Sequence, residues 1–330
     1  MRKLLSPRYM PTLSTALVLA ALYIGGSVAY PNFASASVLV NLLGDNAFLA
    51  VAAIGATFVI LSGGIDLSVG AMVAFSSILV AALVERHGTA PVLAMLAALV
   101  VGAGFGAAMG SLIYYFRLPA FLVTLAGMFF ARGMAFVIEP QSLAIKHPFY
   151  TQTVTESLAL PLGADLSLPF VAVCAIVLFA IAYGVIHFTR FGRGIYAVGG
   201  DEESARLMGL PIARTRILIY TVSGFCSAMA GVLYSMYTQS GDPATAVGFE
   251  LDAIAAVVIG GTLLSGGVGY IFGTAMGVLI LGIIQTLITF QGTLNTWWTR
   301  IAVGLLVLVF LLLQRAVSTF SRSVKTPAST

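Results

Sequence analysis

Long apolar stretches separated by short polar loops occupy almost the whole chain. Ten such runs can be drawn, near residues 10–29, 38–61, 65–84, 91–116, 119–138, 168–188, 217–238, 251–264, 268–290 and 297–314. Most of them approach the roughly 20 residues that a helix needs to cross a bilayer. In hydrocarbon each unpaired backbone group is costly, so spanning elements are helices or closed barrels, and runs this long and this apolar indicate helices. The pattern predicts an all-α polytopic membrane protein of about ten transmembrane segments, one domain over residues 1–330.

Two runs end in a repeated string. "LSGGIDLSVG" from Leu61 and "LSGGVGYIFG" from Leu264 share Leu, Ser, Gly, Gly and the final Gly, 203 residues apart. The run before the second copy, Leu251 to Leu264, would make only about 21 Å of helix against a hydrocarbon thickness of about 30 Å, so it cannot span alone. Short or glycine-interrupted apolar segments at matching places in two halves of a chain point to a transport path. Each copy is either a tight cytoplasmic turn or a broken, re-entrant element inside the membrane; we lean to the break.

Composition supports the membrane reading. Hydrophobic residues make up 59% of the 330 and charged residues 8%, whereas a soluble chain carries about 25% charged residues. The net charge of +4 comes from basic residues scattered over loops, which argues against nucleic acid as a partner and for positive-inside topology. Arg2, Lys3, Arg8, Arg117, the stretch from Arg190 to Arg216, Arg315, Arg322 and Lys325 would then face the cytoplasm, with both termini inside. Lys146 is the exception on the outer side. The basic start and Ala34-Ser35-Ala36 imitate a secretory signal, but the apolar run is long and more spans follow, so we read an uncleaved first helix. Cys174 and Cys226 lie in apolar runs and suggest buried thiols. His87, His147 and His187 are too dispersed for a metal site.

The tetrapeptide LSGG also begins the signature of ABC ATPases, yet this chain has no phosphate-binding loop. Its three lysines, Lys3, Lys146 and Lys325, follow no Gly-x-x-x-x-Gly pattern, so no ATPase activity of its own is expected. "GAGFGA" from Gly102 lies within an apolar run with no preceding strand. Gly102, Gly106 and Gly110, like Gly273 and Gly277, therefore read as faces for close helix packing. No hydrolase or zinc-protease motif is present, and no catalytic residue is assigned.

Polar groups in hydrocarbon are costly enough that each needs a reason. Asp66 precedes a new apolar run and suits a helix N-cap, a role compatible with lining a path. Asp45 and Asn46 read as an outer-interface pair with a path role open for Asn46. Phe129 offers an aromatic face on which a sugar could stack, and Trp297 and Trp298 suit an interfacial belt. The path candidates are Asn46, Ser62, Gly63, Gly64, Asp66, Ser68, Phe129, Ser265, Gly266 and Gly267.

Between Thr189 and Arg216 the chain turns polar. Asp201, Glu202 and Glu203 stand where a helix N-terminus favours negative charge, Gly209 suits a C-cap, and Pro211 stops the helix. A helix of seven or eight residues is marginal alone, so Leu207, Met208 and Leu210 are expected to anchor it, on this chain's own membrane domain or in another protein.

"GRGIYAVGGDEESARLMGL" resembles the coupling loop of permease subunits in ribose-type monosaccharide ABC importers, and "GGIDLSVG" resembles an element typical of them. "NAFLAVAAIGATFVILSGGIDLSVG", "LPAFLVTLAGMFFARG", "LDAIAAVVIGGTLLSGGVG" and "WWTRI" are most similar to the galactofuranose-type permease. The likeness covers nearly the whole chain. Departures are Asp201 in place of the usual asparagine, Met208 in place of serine, and Gln285-Thr286-Leu287 in place of Asn-Gly-Leu.

The resemblance implies a multi-pass subunit of the bacterial inner membrane that forms a sugar path with a second permease, a heterodimer being favoured. A periplasmic binding protein would deliver sugar, and a separate ABC ATPase subunit would use ATP and Mg. The implied coupling residues are Gly199, Gly200, Asp201, Glu202, Glu203, Ser204, Ala205, Arg206, Leu207 and Gly209, within residues 189–216; Glu203 and Arg206 are expected to touch the ATPase. Rival readings are an ion-coupled secondary sugar transporter, for which Asp66 would be the titratable group, and an intramembrane enzyme acting on lipid-linked sugar.

Overall fold

The apolar runs fold as helices, as their composition requires. The computed structural model describes residues 10–153, 157–159, 167–295 and 297–323. The basic residues at positions 2, 3 and 8 and Lys325 lie outside the described residues. In chain order the helices are α1 (Met10–Ala29), α2 (Ala36–Asp45), α3 (Ala47–Leu61), α4 (Val69–Glu85), α5 (Pro91–Tyr115), α6 (Ala120–Ile138), α7 (Phe170–Phe188), α8 (Arg190–Gly200), α9 (Glu202–Leu207), α10 (Ile212–Thr238), α11 (Phe249–Ile259), α12 (Ile271–Gln291) and α13 (Trp297–Ser323). Two short antiparallel ladders, β1 (Leu143–Ala144) with β4 (Ser240–Gly241) and β2 (Ser157–Ala159) with β3 (Ser167–Pro169), and one π-helical turn, Phe149–Thr153, complete the described elements.

The expected count of about ten spans does not hold. Among the described residues five helices are long and apolar enough to cross a membrane: α5, α6, α7, α10 and α12. The pair α2 and α3, bent by 52° at Asn46, makes up to six. Helices Leu13–Ala29, Val69–Glu85 and Trp297–Leu312 are apolar but shorter. α11 has 11 residues, about 16 Å of helix. Apolar composition overcounts because a buried extended segment is as apolar as a helix: the run drawn from residue 65 spends its start in extended chain, and the run ending at Leu264 spends its end in a turn.

α10 is the central element, packed against α3, α4 and α5. The glycine spacing of α5 serves that packing. A Cβ on Gly106 would lie 2.0 Å from the Tyr220 carbonyl oxygen, and one on Gly224 would lie 2.2 Å from that of Gly102. The same holds between α12 and α11, where a Cβ on Gly277 would meet the Ala256 oxygen at 1.9 Å. Backbone approach of this kind is how helices associate where lipid removes the hydrophobic drive between them. Cys226 is buried and Cys174 half-buried, both as free thiols. Trp297 and Trp298 are exposed on α13, as a belt position requires.

Candidate functional site

The two LSGG strings meet each other. α3 ends at Leu61 and the chain turns through Gly63, at φ +76°; the second string turns through Gly266 and Gly267, at φ +84° and +74°. Such angles favour glycine because they bring a Cβ against the backbone. The Gly267 amide donates to the Leu61 carbonyl at 2.8 Å. Gly199, next to last in α8, packs into the same point: a Cβ there would be 1.8 Å from the Leu61 oxygen and 2.7 Å from the Gly267 nitrogen. A Cβ on Gly267 would in turn lie 2.7 Å from the Cα of Gly200. Tyr196 of α8 donates its hydroxyl to the Gly269 carbonyl at 2.8 Å. Three glycine pairs distant in sequence thus form one junction, at the end of the bundle that carries α8 and α9.

From this junction the chain runs back into the bundle in extended form. The Ile65 carbonyl is approached by Thr124 Oγ1 at 3.4 Å, and Asp66 is level with Ser223, about three turns into α10. Asp66 is 4% exposed. Its Oδ1 accepts from the Ser68 amide at 2.9 Å and the Ser68 hydroxyl at 2.6 Å, and its Oδ2 accepts from the Ser223 hydroxyl at 2.7 Å. The geometry is an Asx turn just ahead of α4 rather than the N-cap read from the sequence: Ser68 holds the cap position with no side-chain cap bond, and Asp66 takes the Ser68 amide and ties that turn to α10. Both carboxylate oxygens are engaged in hydrogen bonds.

A second irregular segment, residues 242–248, folds as two turns closed by Thr245 N to the Asp242 carbonyl and Phe249 N to the Ala246 carbonyl. The guanidinium of Arg132, on α6, donates to the carbonyls of Pro243 at 2.8 Å, Thr245 at 2.6 Å and Ala246 at 3.4 Å. Arg300 on α13 donates to the Val247 carbonyl at 3.2 Å. The segment ends at α11, whose first turn carries Glu250 and Asp252, where negative charge complements the helix dipole. α4 and α11 start side by side: a Cβ on Gly70 would lie 2.4 Å from both Glu250 Oε2 and the Ala246 oxygen. Ser223, Arg300, Glu250 and Asp252 were not among the sequence candidates. The available signal was a charged residue interrupting an apolar run.

α9 forms where expected. Asp201 Oδ1 accepts from the amides of Glu203 at 3.0 Å and Ser204 at 3.2 Å, and Oδ2 accepts from the Ser204 hydroxyl at 2.9 Å. These bonds, the Ser204 amide first, hold its carboxyl below the usual range. Gly209, at φ +77°, closes the C-terminus, with Leu210 N donating to the Ala205 carbonyl at 3.1 Å in a Schellman arrangement. Glu202 pairs with Arg206 at 3.4 Å and with Arg216. On this chain Ala205 is the buried residue of α9, clustered with Val198 and Ile212, with Leu210 against it as expected. Leu207 and Met208 stand 81% and 70% exposed, so of the two alternatives they do not anchor on this chain's own membrane domain.

The remaining candidates scatter. Ser62 is buried and donates its hydroxyl to the Val59 carbonyl at 2.7 Å, while Ser265 is exposed on the junction. Asn46 sits at the α2–α3 bend, 9% exposed, its amide donating to the Leu42 carbonyl at 2.9 Å. The sharp bend between apolar helices is at Asn46, and the LSGG strings lie in turns at the α8–α9 end of the bundle. Beside Asn46, Asp45 accepts from the Tyr237 hydroxyl at 2.8 Å. Phe129 is 67% exposed on α6 and does not join the junction. Among the described residues no cluster of metal-ligating side chains occurs.

Comparison with known proteins fits this architecture. A family model described as "Branched-chain amino acid transport system / permease component" matches residues 38–311. The chain is 47% identical over 311 residues to the inner membrane ABC transporter permease protein YjfF of Escherichia coli K12, covering 94% of this chain and 93% of that one. It is 38% identical to the fructose import permease protein FruG of Bifidobacterium longum, covering 95% and 93%. It is 37% identical to the ribose import permease protein RbsC of Bacillus subtilis, covering 94% of each. No solved structure matches. The chain belongs to this family of ABC transporter permease components.

Proposed function

We propose that this chain is one permease subunit of an ATP-driven importer for galactofuranose or a related monosaccharide. It builds half of a translocation path with a second, similar permease. A periplasmic binding protein delivers the sugar, and a separate ABC ATPase binds ATP and Mg on the face that carries α9. The loops with α8 and α9, and both termini, then lie in the cytoplasm. Relatives named for ribose and fructose support a sugar as cargo, and the quoted motifs favour the galactofuranose type.

The observation that carries the reading is the junction. α9 offers Leu207 and Met208 to a partner, and the Gly199 backbone behind it is packed against the Leu61 carbonyl and the Gly267 amide. A push on α9 is delivered at one point to both LSGG turns, and from the first of them through Asp66 to Ser223 of α10. The test is reconstitution of this chain with the ATPase, the second permease and the binding protein in liposomes. ATP-dependent accumulation of labelled galactofuranose, exceeding that of ribose and fructose, is the expected result. Uptake driven by an ion gradient with no ATPase present would overturn it, as would ATP turnover by the purified chain alone.

A further inference from the structure

At the α9 end of the bundle a polar cleft of about 620 Å3 opens between the end of α5, the α5–α6 turn, α9 and the start of α10. Its charged walls are Arg117, Arg206 and Arg216 against one carboxylate, Glu202. Glu202 is shared by Arg206 and Arg216, whereas Arg117 makes no ion pair among the described residues. Three guanidinium groups facing a single acid leave a positive chamber. Arg117 itself is held at φ +52°, in the left-handed region that a long side chain seldom occupies. Such strain at a loop points to a constraint beyond folding.

The next residue, Leu118, lines this cleft and also an apolar groove of about 380 Å3 between α5 and α6. Phe105 and Met109 of α5 and Leu122 and Phe130 of α6 wall that groove, on two helices long and apolar enough to lie across hydrocarbon. A basic chamber that shares the Leu118 wall with an apolar groove along two such helices has the two-part chemistry of a lipid. Exposed Tyr115 and Phe116 beside it have the amphipathic and apolar character of the membrane interface.

We propose that the cleft and groove together hold one anionic phospholipid of the leaflet facing α9, its phosphate on Arg117 and an acyl chain along α5 and α6. Basic pockets between spanning helices on the cytoplasmic side recognise such headgroups. A soluble phosphate would use the cleft and have no need of the groove. An acidic segment of a partner protein would reach Arg206, which is half exposed, and would leave the groove empty. The proposal requires the membrane placement given above and is independent of which sugar is carried. It links lipid to coupling: a phosphate in the cleft competes with Glu202 for Arg206 and Arg216, so occupancy and the seat of α9 are tied.

The test is native mass spectrometry of the full chain, purified in detergent and titrated with phosphatidylglycerol or phosphatidylcholine. Wild type is expected to retain phosphatidylglycerol in preference to phosphatidylcholine, and Arg117→Gln to lower that retention about fivefold, the effect of one basic residue near an anionic lipid. Arg117→Lys should restore most of it, and Ala126→Phe, which narrows the groove, should lose it with Arg117 intact. Thermal melts establish that each variant is folded, and the loop variants carry the test if the groove variant is not. Equal retention of both lipids, or an unchanged Arg117→Gln, overturns the proposal. Displacement by inorganic phosphate together with wild-type retention in Ala126→Phe assigns the cleft to free phosphate and also overturns it. So does an Arg117→Gln chain that keeps its lipid but no longer co-purifies with the ATPase.

Discussion

The Leu61 carbonyl accepts the Gly267 amide at 2.8 Å, and the same oxygen blocks any Cβ on Gly199. One atom therefore stands where the two repeated turns and the loop helix α8 meet. With three backbones in van der Waals contact there is no slack between them. A displacement of α8 either carries both turns with it or opens the contact.

Gly199→Ala and Gly200→Ala test this, since the two residues are adjacent and their surroundings are opposite. A Cβ at Gly199 meets the Leu61 oxygen at 1.8 Å, whereas one at Gly200 meets nothing within 4 Å. Overpacking of this kind costs about 1–3 kcal/mol, so Gly199→Ala should lower the melting temperature and abolish coupled uptake. Gly200→Ala should melt and transport like wild type. Equal behaviour of the two in a reconstituted uptake assay would remove the junction from the mechanism.

Leu207 and Met208 are exposed apolar residues on a helix end with no partner among the described residues. Leu207→Ser with Met208→Ser should leave the stability of the isolated chain unchanged within about 0.5 kcal/mol per substitution, as surface substitutions do. Co-purification of a tagged ATPase subunit should fall at least tenfold. Retained ATPase association would place the contact elsewhere, with Glu203 and Arg206 the next residues to reverse in charge.

The sequence made some of this legible and hid the rest for identifiable reasons. The LSGG repeat could be read because identical strings recur, and the packing role of Gly102, Gly106 and Gly110 because their spacing follows the helix period. That the two repeats touch could not be read, because a repeat carries no relative position. The extended path from Gly64 to Asp66 was concealed within an apolar run, since hydropathy does not distinguish a buried helix from a buried extended chain. α9 was visible from its caps, and Leu210 packs as read; Leu207 and Met208 are exposed on this chain, which leaves them to the other alternative, a second protein. The bend at Asn46 follows Gly44 and Asp45, so a glycine and two polar residues interrupt the apolar run, a signal read from the sequence as an outer-interface pair and not as a break.

Asp201 gives a pH dependence with a definite sign. Its carboxyl is held below the usual range by the Ser204 amide and hydroxyl, so the cap contributes fully above the unfolded-state value, about 3.9 for aspartate, and is lost as pH falls through the lower folded-state value. Hydrogen-exchange protection of the Glu203 and Ser204 amides should hold from neutral pH through that reference value and drop only below it. Asp201→Asn should keep a cap without the step, and Asp201→Ala should lose protection at every pH. A step at or above the reference value would show that the hydrogen bonds do not favour the charged form.

Asp66→Ala removes three accepted hydrogen bonds and leaves the Ser68 amide and two hydroxyls without their partner. Orphaning buried donors costs about 1–3 kcal/mol each before relaxation, so this variant should be the least stable of the set. Ser223→Ala loses one bond and should cost about 1 kcal/mol. Thermal unfolding in detergent ranks them. Asp66→Ala that melts like wild type would mean that water replaces the carboxylate and that the α3–α4 turn is not fixed from α10.

Arg132 joins α6 to the turn segment before α11 through three carbonyls, and its charge is faced by Glu250 and Asp242. The planar guanidinium fork reaches several acceptors at once, which a lysine ammonium on its flexible stem cannot reproduce. Arg132→Ala leaves the carbonyls of Pro243, Thr245 and Ala246 without this donor and Glu250 with Arg300 alone of its two cations, with an expected loss of roughly 1–3 kcal/mol. Arg132→Lys keeps the charge but not the fork, so it should recover part of the stability and little of the uptake if the shape of residues 242–248 governs transport. Full recovery of uptake by lysine would assign Arg132 a purely electrostatic role opposite Glu250. Unchanged melting and uptake in the alanine variant would show that Arg300 of α13, α4 and β1 hold the segment without Arg132.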